Sequence, residues 1–307
     1  MTKRNVIICD DDQEKYEDIK RYLADYEKEY EYECSERVCS EKKMTLLLEK
    51  ADQDKKYYDF ILIDQDLSKI QPGYTGFYLY NTIKAKFPNE TYIIYTMQDT
   101  ARFRDQINLM MFEENVHFIL MERVLKRENL GFYLSRIVQK TPRNKVFIVQ
   151  GRNESKNAKL ANFIKNGLKL DIVDWETARL NAVDNSIWSI VKNGINQSWA
   201  TIVFFTDDET VQLKETLAKK ETEKRIAEQS RPNVFIEAGY SFGKRPQRTI
   251  FMYWHDSDER IREASDFSGN FNIYYDEGQK WRHVIKNSLE KARCKLNPSR
   301  NWKTMKL

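Results

Sequence analysis

Acidic residues and one threonine stand where short apolar runs end in the first half of the chain. Asp10 and Asp11 follow one run, Asp64 closes a second and precedes Asp66 by two residues, and Thr96 closes a third. Because ligands bind beyond the carboxyl ends of the strands in an open parallel sheet, we expect these side chains to lie together. Clustered carboxylates repel one another unless a cation lies between them, and Mg²⁺ prefers such oxygen ligands. An ionised aspartate beside Mg²⁺ can attack a phosphoryl donor and form an aspartyl phosphate.

A single glutamate, Glu237, lies among apolar and small residues in the second half of the chain. The proline five residues before it suits the first turn of a helix. Gly239 and Gly243 are four residues apart, so one face of that helix is bare and allows another backbone or a flat ligand to approach. A carboxylate in apolar surroundings is costly unless it has a partner or a function. The structural alternative is a Glu237 that pairs with Arg231 or Lys244.

Three other predicted strand ends of the second half carry polar or aromatic residues. Gly151 allows a tight turn from strand to helix, and a helix that begins near Arg152 favours an anion such as a pyrophosphate. Trp175 offers a ring face on which a base can stack. Asp207 follows the next strand.

The elements that must position these residues alternate between apolar runs and helical patterns. Such alternation predicts an α/β fold with parallel sheets, and runs without strict alternation are typical of strands covered on both faces. We therefore predict two flavodoxin-like domains, each a parallel five-stranded sheet with helices on both faces. Strands are predicted at 6–9, 32–39, 60–63, 92–95 and 118–120 and at 145–149, 170–173, 201–205, 249–253 and 271–275. Helices are predicted at 13–27, 76–86 and 155–166, and a solvated helix or mobile segment at 207–230.

The predicted domain boundary lies near Pro142, which ends a helix before a new strand begins. We place a first domain at 1–140, a second at 144–296 and a basic C-terminal tail at 297–307. The net charge of +4 conceals an acidic first half and a basic second half. We expect the tail to be frayed, and we regard a contact with nucleic acid as unlikely.

The composition excludes several classes of protein. Hydrophobic residues make up 41% of the chain, aromatic residues 13% and charged residues 32%, as in globular domains rather than disordered ones. No apolar run approaches the roughly 20 residues of a membrane-spanning helix. Four cysteines without a CxxC pair and three scattered histidines favour neither a disulfide framework nor a zinc or haem site. We therefore expect a cytoplasmic protein.

Residues 4–138 resemble the receiver domain of bacterial response regulators. The resemblance implies that Asp10 and Asp11 are the acidic pair that helps hold Mg²⁺, and that Asp64 is the phospho-acceptor. It also implies that Asp66 offers a backbone carbonyl to the metal and that Thr96 contacts the phosphoryl group. A histidine kinase or another upstream activator is the implied partner.

One stretch departs from the receiver pattern. The family places a lysine, usually followed by proline, at the end of the fifth strand, whereas residues 118–123 contain neither and include Glu122. Arg123 or Lys126 is a candidate substitute that the sequence does not place. The alternative is a degenerate receiver that serves only for dimerisation or partner docking.

Residues 144–296 resemble the Toll/interleukin-1 receptor (TIR)-like domain of bacterial predicted nucleotide-binding proteins, which serve as effectors in anti-phage immunity. The motifs are at 146–152, 203–208, 231–244 and 274–281, and the third is the longest and most specific. The resemblance implies an NAD⁺ nucleosidase, a hydrolase of an N-glycosidic bond, with Glu237 as its catalytic glutamate.

The same resemblance suggests how NAD⁺ is held. Arg152 and Arg231 are the candidates for the pyrophosphate, and Trp175 and Tyr240 for stacking. Asp207 either binds a hydroxyl or orients Arg231.

The leading hypothesis is an effector whose receiver-like domain controls NAD⁺ cleavage, with homo-oligomerisation through both domains. A non-catalytic nucleotide-binding scaffold and a nucleoside deoxyribosyltransferase-like enzyme are the alternatives. A DNA-binding response regulator is disfavoured, because the second half lacks a compact helix-turn-helix pattern.

Overall fold

The chain forms two compact units, Met1–Lys140 and Thr141–Leu307, in a computed structural model. Each unit has its own hydrophobic core. The structure describes residues 2–24, 30–54, 56–97, 103–110, 116–127, 130–140, 142–182, 184, 186–218, 224–254, 261–262, 272–275 and 279–307.

The first unit is built on five parallel strands. They are β1 Thr2–Cys9, β2 Tyr30–Cys34, β3 Phe60–Asp64, β4 Tyr92–Thr96 and β5 Val116–Leu120. Their order in the sheet is β2-β1-β3-β4-β5. This is the flavodoxin-like order, in which the strand order reverses between β1 and β3. The predicted fold of this half is confirmed.

Helices connect the strands of the first unit. They are α1 Gln13–Ala24, α2 Glu41–Gln53, α3 Gly76–Lys86, α4 Arg104–Met110, α5 Met121–Arg127 and α6 Leu130–Lys140. The helix predicted at 76–86 is confirmed at both ends as α3. At its N-terminus, the Thr75 hydroxyl accepts a hydrogen bond from the backbone N–H of Tyr78 and caps the helix. The helix predicted at 13–27 is α1, and its last predicted residues lie outside the described part of the chain. The strand predicted at 32–39 is too long, because β2 ends at Cys34 and Val38 forms only an isolated bridge with Cys9.

Burial on both faces explains why the strands read as continuous apolar runs. Phe60 and Leu62 of β3 belong to the core on one face of the sheet, and Ile61 and Ile63 belong to the core on the other. All four are fully buried. Such a strand has no polar face, so its sequence does not alternate.

The second unit repeats the same strand order. Its main strands are β6 Lys145–Gln150, β7 Asp171–Ile172, β8 Ala200–Phe205, β11 Thr249–Trp254 and β12 Ile273–Tyr275. They are parallel and lie in the order β12-β11-β8-β6-β7. A separate antiparallel pair is formed by β9 Glu209–Val211 and β10 Ala227–Gln229. The order reverses between β6 and β8, so the flavodoxin-like prediction is confirmed here too.

The helices of the second unit show where the sequence prediction was wrong. They are α7 Glu154–Asn162, α8 Trp175–Leu180, α9 Ile187–Gln197, α10 Pro232–Lys244 and α11 Lys280–Lys291. The helix predicted at 155–166 is α7 followed by a π-helical turn, Phe163–Gly167. Within 207–230 the structure has β9, β10 and a short 3₁₀ helix rather than one solvated helix, and 219–223 lie outside the described residues. The strand predicted at 170–173 shortens to β7, and Phe271 of the last predicted strand is also outside them.

The C-terminal tail is packed against the second unit rather than frayed. Trp302, Met305 and Leu307 lie against its core, with the Trp302 ring 4.7 Å from that of His283. The guanidinium of Arg282 donates a hydrogen bond of 2.8 Å to a backbone carbonyl of the tail. Its apolar residues therefore outweigh the effect of its basic charge.

Across the described parts of both units, every helix is too short or too polar to cross a membrane.

Candidate functional site

The first unit gathers three of its predicted carboxylates at one edge of the sheet. Asp10, Asp11 and Asp64 each offer a carboxylate oxygen, and these oxygens lie within 4.8 Å of one another. β1 and β3 are neighbours, so the loop after Cys9 meets the last residue of β3. Asp10 and Asp64 are almost completely buried. This geometry fits a hard divalent cation with oxygen ligands, which the Asp residues at these positions supply.

Hydrogen bonds fix the orientation of Asp10. The hydroxyl of Tyr95 donates to its Oδ2 at 2.5 Å, and the backbone N–H of Asp12 donates to its Oδ1 at 2.8 Å. Burial nevertheless raises the pKa of Asp10 above its ordinary value, although both hydrogen bonds act in the opposite direction. Tyr95 was not predicted from the sequence, because it resembles any core aromatic residue of a buried strand.

Asp64 is the most perturbed carboxyl group of this cluster. Burial, together with the charge of Asp10, raises the pKa of Asp64 to about 6, although Lys15 acts in the opposite direction. Two buried carboxylates at this separation are stabilised by a cation between them. The cluster therefore has the charge and the donor atoms of a cation-binding site.

Asp66 and Thr96 occupy different positions relative to this cluster. The Asp66 side chain is exposed, and its Oδ1 accepts a hydrogen bond from the N–H of Ser68. Thr96 is buried and follows Tyr95, the register partner of Asp64 on β4. It is therefore one position beyond the level of Asp64 on the neighbouring strand.

Lys15, a residue that the sequence interpretation missed, reaches Asp64 from helix α1. Its Nζ lies 3.0 Å from Oδ2 of Asp64. At the end of β5, where receivers carry lysine, the structure has a fully buried Met121 followed by an exposed Glu122. Arg123 is exposed, and the side chain of Lys126 lies outside the described part. The only sequence signal for Lys15 was a cationic residue in the first turn after the acidic run.

Helix α3 supports the loop that carries Asp64. A side chain at Gly76 would place its Cβ 2.5 Å from the backbone oxygen of Asp64, so only glycine fits there. The Gln65 side chain accepts a hydrogen bond from the N–H of Phe77, which ties the same loop to the start of α3.

In the second unit, Glu237 lies on α10 close to the point where the strand order reverses. α10 packs against β6, β8 and β11. The hydroxyl of Ser230 donates to the backbone oxygen of Thr206 at 2.7 Å, which anchors the start of the helix at the carboxyl end of β8. Ligands bind at this edge in open α/β sheets.

The carboxylate of Glu237 is desolvated and has no cation paired with it. Burial raises the pKa of Glu237 to about 7, and the charge of Arg231 acts weakly in the opposite direction. Arg231 forms its ion pair with Glu209, and the ammonium of Lys244 donates to Asn196. Within the described part of the chain, no hydrogen bond or salt bridge reaches the Glu237 carboxylate. The structural alternative of a paired Glu237 is therefore not what the fold contains.

Near Glu237, helix α10 carries a tyrosine in contact with a tryptophan of α9, and two glycines that leave part of the helix surface open. Tyr240 follows one turn later on the same flank, and its ring meets the edge of Trp188 at 5.0 Å. A Cβ built on Gly239 or Gly243 would meet nothing within 4 Å. The bare helix face predicted from the two glycines is open to solvent.

The predicted anion-binding turn is occupied by the protein's own side chains. The backbone N–H of Arg152 donates to Asp208 at 2.9 Å, and the side chain of Asn153 caps α7. A Cβ on Gly151 would lie 1.8 Å from Oδ2 of Asp208, so glycine is required by this carboxylate. Asp207 pairs with Lys156 at 2.5 Å rather than orienting Arg231. Lys156 is engaged by Asp207, whereas the guanidinium of Arg152 at the same turn is exposed.

A cleft of about 620 Å³ lies beside this turn. It is lined by Gln150, Gly151, Arg152, Glu154, Asn157, Ala158 and Ala161. The amide oxygen of Asn157 is buried there without a hydrogen-bond partner among the described residues.

The cleft and Glu237 flank the same edge on opposite faces of the sheet. Tyr253 and Trp254 are adjacent on β11 and therefore point to opposite faces. Tyr253 stacks on Phe205, whose ring lies 5.1 Å from Phe235 of α10, whereas Lys156 of α7 lies 4.4 Å over Trp254. The structure thus brings Gly151, Arg152 and Asp207 together on the α7 side and leaves Glu237 and Tyr240 on the α10 side.

Trp175 stands apart from both groups. It begins α8 beyond the edge strand β7, and 44% of its surface is exposed. In the described part of the chain, no aromatic ring or cation contacts the Trp175 ring, so the ring is available for stacking.

Comparisons with known proteins address the two units separately. Residues 145–277 match the family model described as CAP12/Pycsar effector protein, TIR domain. The first unit is similar in fold to three solved receivers. A CheY-like receiver domain protein of Methanospirillum hungatei is 17% identical, and the match covers 44% of this chain and 97% of that one with a TM-score of 0.29. The receiver domain of Francisella response regulator 1452 is 17% identical, with coverages of 43% and 98% and a TM-score of 0.29. The Thermotoga maritima response regulator TrrA in complex with Mg²⁺-BeF is 19% identical, with coverages of 40% and 97% and a TM-score of 0.27.

No curated protein matches the chain. Residues 145–277 thus match the TIR domain model of CAP12/Pycsar effector proteins, and the first unit has the flavodoxin-like strand order.

Proposed function

We propose that the second unit is an NAD⁺ nucleosidase in which Glu237 stabilises the positive charge that develops on the ribose. The observation that supports this most directly is a desolvated carboxylate without a cationic partner at the carboxyl edge of the sheet. Catalytic groups with such perturbed environments cluster in active sites. The match to a TIR effector family supports the same assignment.

The chemistry suits a site with one carboxylate. The bond between ribose C1′ and the nicotinamide nitrogen breaks, and its electron pair leaves with nicotinamide, which departs as a neutral molecule. Water then bonds to C1′ and loses a proton, so the products are ADP-ribose, nicotinamide and H⁺. No strong acid is needed for the leaving group, whereas a fixed anion lowers the energy of the oxocarbenium-like transition state.

The residues proposed to hold NAD⁺ follow from exposure and charge. The Arg152 guanidinium is the group offered to the pyrophosphate, because the backbone N–H of Arg152 already donates to Asp208 and the Asn153 side chain already caps α7. Trp175 supplies an exposed ring for stacking, and Tyr240 with its neighbour Trp188 supplies a second aromatic surface beside Glu237. Arg231 is the second candidate for the pyrophosphate, and its guanidinium lies 3.8 Å from the Glu209 carboxylate.

For the first unit we propose phosphorylation of Asp64 as the input signal, with a histidine kinase or another phosphodonor upstream. Asp10, Asp11 and Asp64 would hold Mg²⁺, which would offset the negative charge of the phosphoryl group. Thr96 would contact that group from the next strand. Self-association of the chain through its two units would then couple the signal to NAD⁺ cleavage.

Release of nicotinamide from NAD⁺ tests the enzymatic proposal. We expect release by the full chain and a loss of about 100-fold or more in Glu237→Gln, because removal of one transition-state charge partner costs that much. Glu215→Gln, which changes an exposed glutamate, is the matched control. An inert wild-type chain, even when clustered artificially, favours the scaffold. Cleavage of nucleosides but not of NAD⁺ favours a deoxyribosyltransferase-like enzyme.

Intact mass tests the phosphorylation proposal. A small phosphodonor with Mg²⁺ should add one phosphoryl group to the wild type and none to Asp64→Asn. An equal adduct in both proteins would exclude Asp64 as the acceptor.

A further inference from the structure

Lys15 places a positive charge within the carboxylate cluster of the first unit. α1 begins at Gln13, and the Asp12 side chain accepts from the backbone N–H groups of Glu14 and Lys15, so the first turn is fixed. From this turn the Lys15 ammonium reaches 3.0 Å from Oδ2 of Asp64. It therefore lies among the oxygens that a divalent cation would use.

Other basic residues near this edge have different partners. The ammonium of Lys69 pairs with Asp12, and its backbone N–H donates to Asp11. In the part of the chain that the structure describes, Lys15 is the only lysine or arginine with an ion pair to Asp10, Asp11 or Asp64. The cluster consequently has one resident cation, carried by α1.

This resident cation can leave without moving the backbone. The Lys15 side chain is 40% exposed, whereas the Asp64 side chain is 2% exposed. A lysine stem has four rotatable carbons and a strongly hydrated head, so rotation into solvent is accessible to it. A divalent ion that arrives while the ammonium is present meets a like charge a few ångströms away, which raises the free energy of the bound state.

We propose that the Lys15 ammonium competes with a divalent cation for Asp64 and thereby sets the Mg²⁺ concentration at which this cluster binds metal. The inference rests on the proposed role of the cluster as a Mg²⁺ site. It assigns to Lys15 a function in cation binding from helix α1, while the described end of β5 carries Met121 and Glu122.

Binding of Mn²⁺ to the full-length protein tests the competition, with the free-Mn²⁺ electron paramagnetic resonance signal as the readout. Mn²⁺ shares the preference of Mg²⁺ for oxygen ligands. We expect Lys15→Met to bind Mn²⁺ about tenfold more tightly than the wild type, because one positive charge is removed at the ligand atoms. Lys15→Gln should behave similarly, and Lys15→Arg should resemble the wild type.

Lys69→Met is the matched control, since it removes the same charge from the same edge without touching Asp64. We expect its affinity to stay within about threefold of the wild type, because exposed charges are screened by solvent. Equal or weaker binding in Lys15→Met and Lys15→Gln, or no Mn²⁺ binding in any variant, would overturn the proposal. If Lys15→Met binds Mn²⁺ more tightly but Asp64 of the wild type gains no phosphoryl adduct, the competition is supported and only the phosphorylation proposal is contradicted.

Discussion

Glu237→Gln is expected to make the second unit more stable while it abolishes NAD⁺ cleavage. Glutamine keeps the size and shape of the side chain and removes its ionisation. A carboxylate that is desolvated and lacks a cation partner is costly to the fold once it is charged. The substitution therefore separates what Glu237 does for the reaction from what it does to the stability of the protein.

The magnitude follows from the pKa. Burial raises the pKa of Glu237 from 4.5 to about 7. The unfolded chain loses this proton near pH 4.5 and the folded chain near pH 7, so the destabilisation appears between these values and is complete above them. At about 1.4 kcal/mol for each pKa unit, Glu237 costs about 3 kcal/mol at pH 8 and less than about 1 kcal/mol at pH 5. Glu237→Gln should recover these amounts.

Tryptophan emission during urea unfolding measures this difference in the second unit alone. All six tryptophans of the chain lie there, at positions 175, 188, 199, 254, 281 and 302. The free energy of unfolding of Glu237→Gln should exceed that of the wild type by about 3 kcal/mol at pH 8 and by much less at pH 5. Glu215→Gln should show no gain at either pH. A gain that is equal at both pH values, or a loss at pH 8, would refute the assignment of Glu237 as a desolvated, unpaired carboxylate.

Three further predictions concern the second unit. Because the reaction needs ionised Glu237, nicotinamide release should rise as the pH passes through about 7, and a flat profile from pH 5 to 8 would contradict this. Gly151→Ala should lower the free energy of unfolding by about 2 kcal/mol or more, measured by tryptophan emission, because its Cβ displaces the carboxylate of Asp208 that holds this turn. Trp302→Ala should cost about 2 kcal/mol in the same assay, since its ring packs against Phe163; no change would mean that the tail does not stabilise the unit.

The fold could be predicted because its strands are buried on both faces. A run such as 60–63 has no polar residue to interrupt it, and the alternation of such runs with helices leaves few topologies. The errors occurred where local pattern is weak. β7, at the edge of its sheet, is only two residues long, which is shorter than the predicted strand. The polar segment after Asp207 forms strands β9 and β10, although its sequence resembles that of a solvated helix.

The carboxylates of the candidate sites could be predicted, whereas their cationic partners could not. Asp10 and Asp64 stand at strand ends, a position that topology alone brings to one edge. Lys15 and Lys156 stand on helices, and their side chains reach the carboxylates of Asp64 and Asp207 across distances that sequence spacing does not encode. A lysine on a surface helix usually has its charged group in solvent, so the presence of a lysine does not indicate which carboxylate it contacts.

The contrast between Asp64 and Glu237 indicates different chemistry in the two units. Both carboxyl groups have a pKa raised by burial, to about 6 and about 7. Such groups lower stability when ionised, and proteins retain them mainly where function requires them. Asp64 has a lysine ammonium at 3.0 Å, so its negative charge is already compensated, as the proposed transfer of an anionic phosphoryl group to Asp64 would require. Glu237 has no such partner in the described part of the chain, so its charge would remain available for the ribose cation of the proposed transition state.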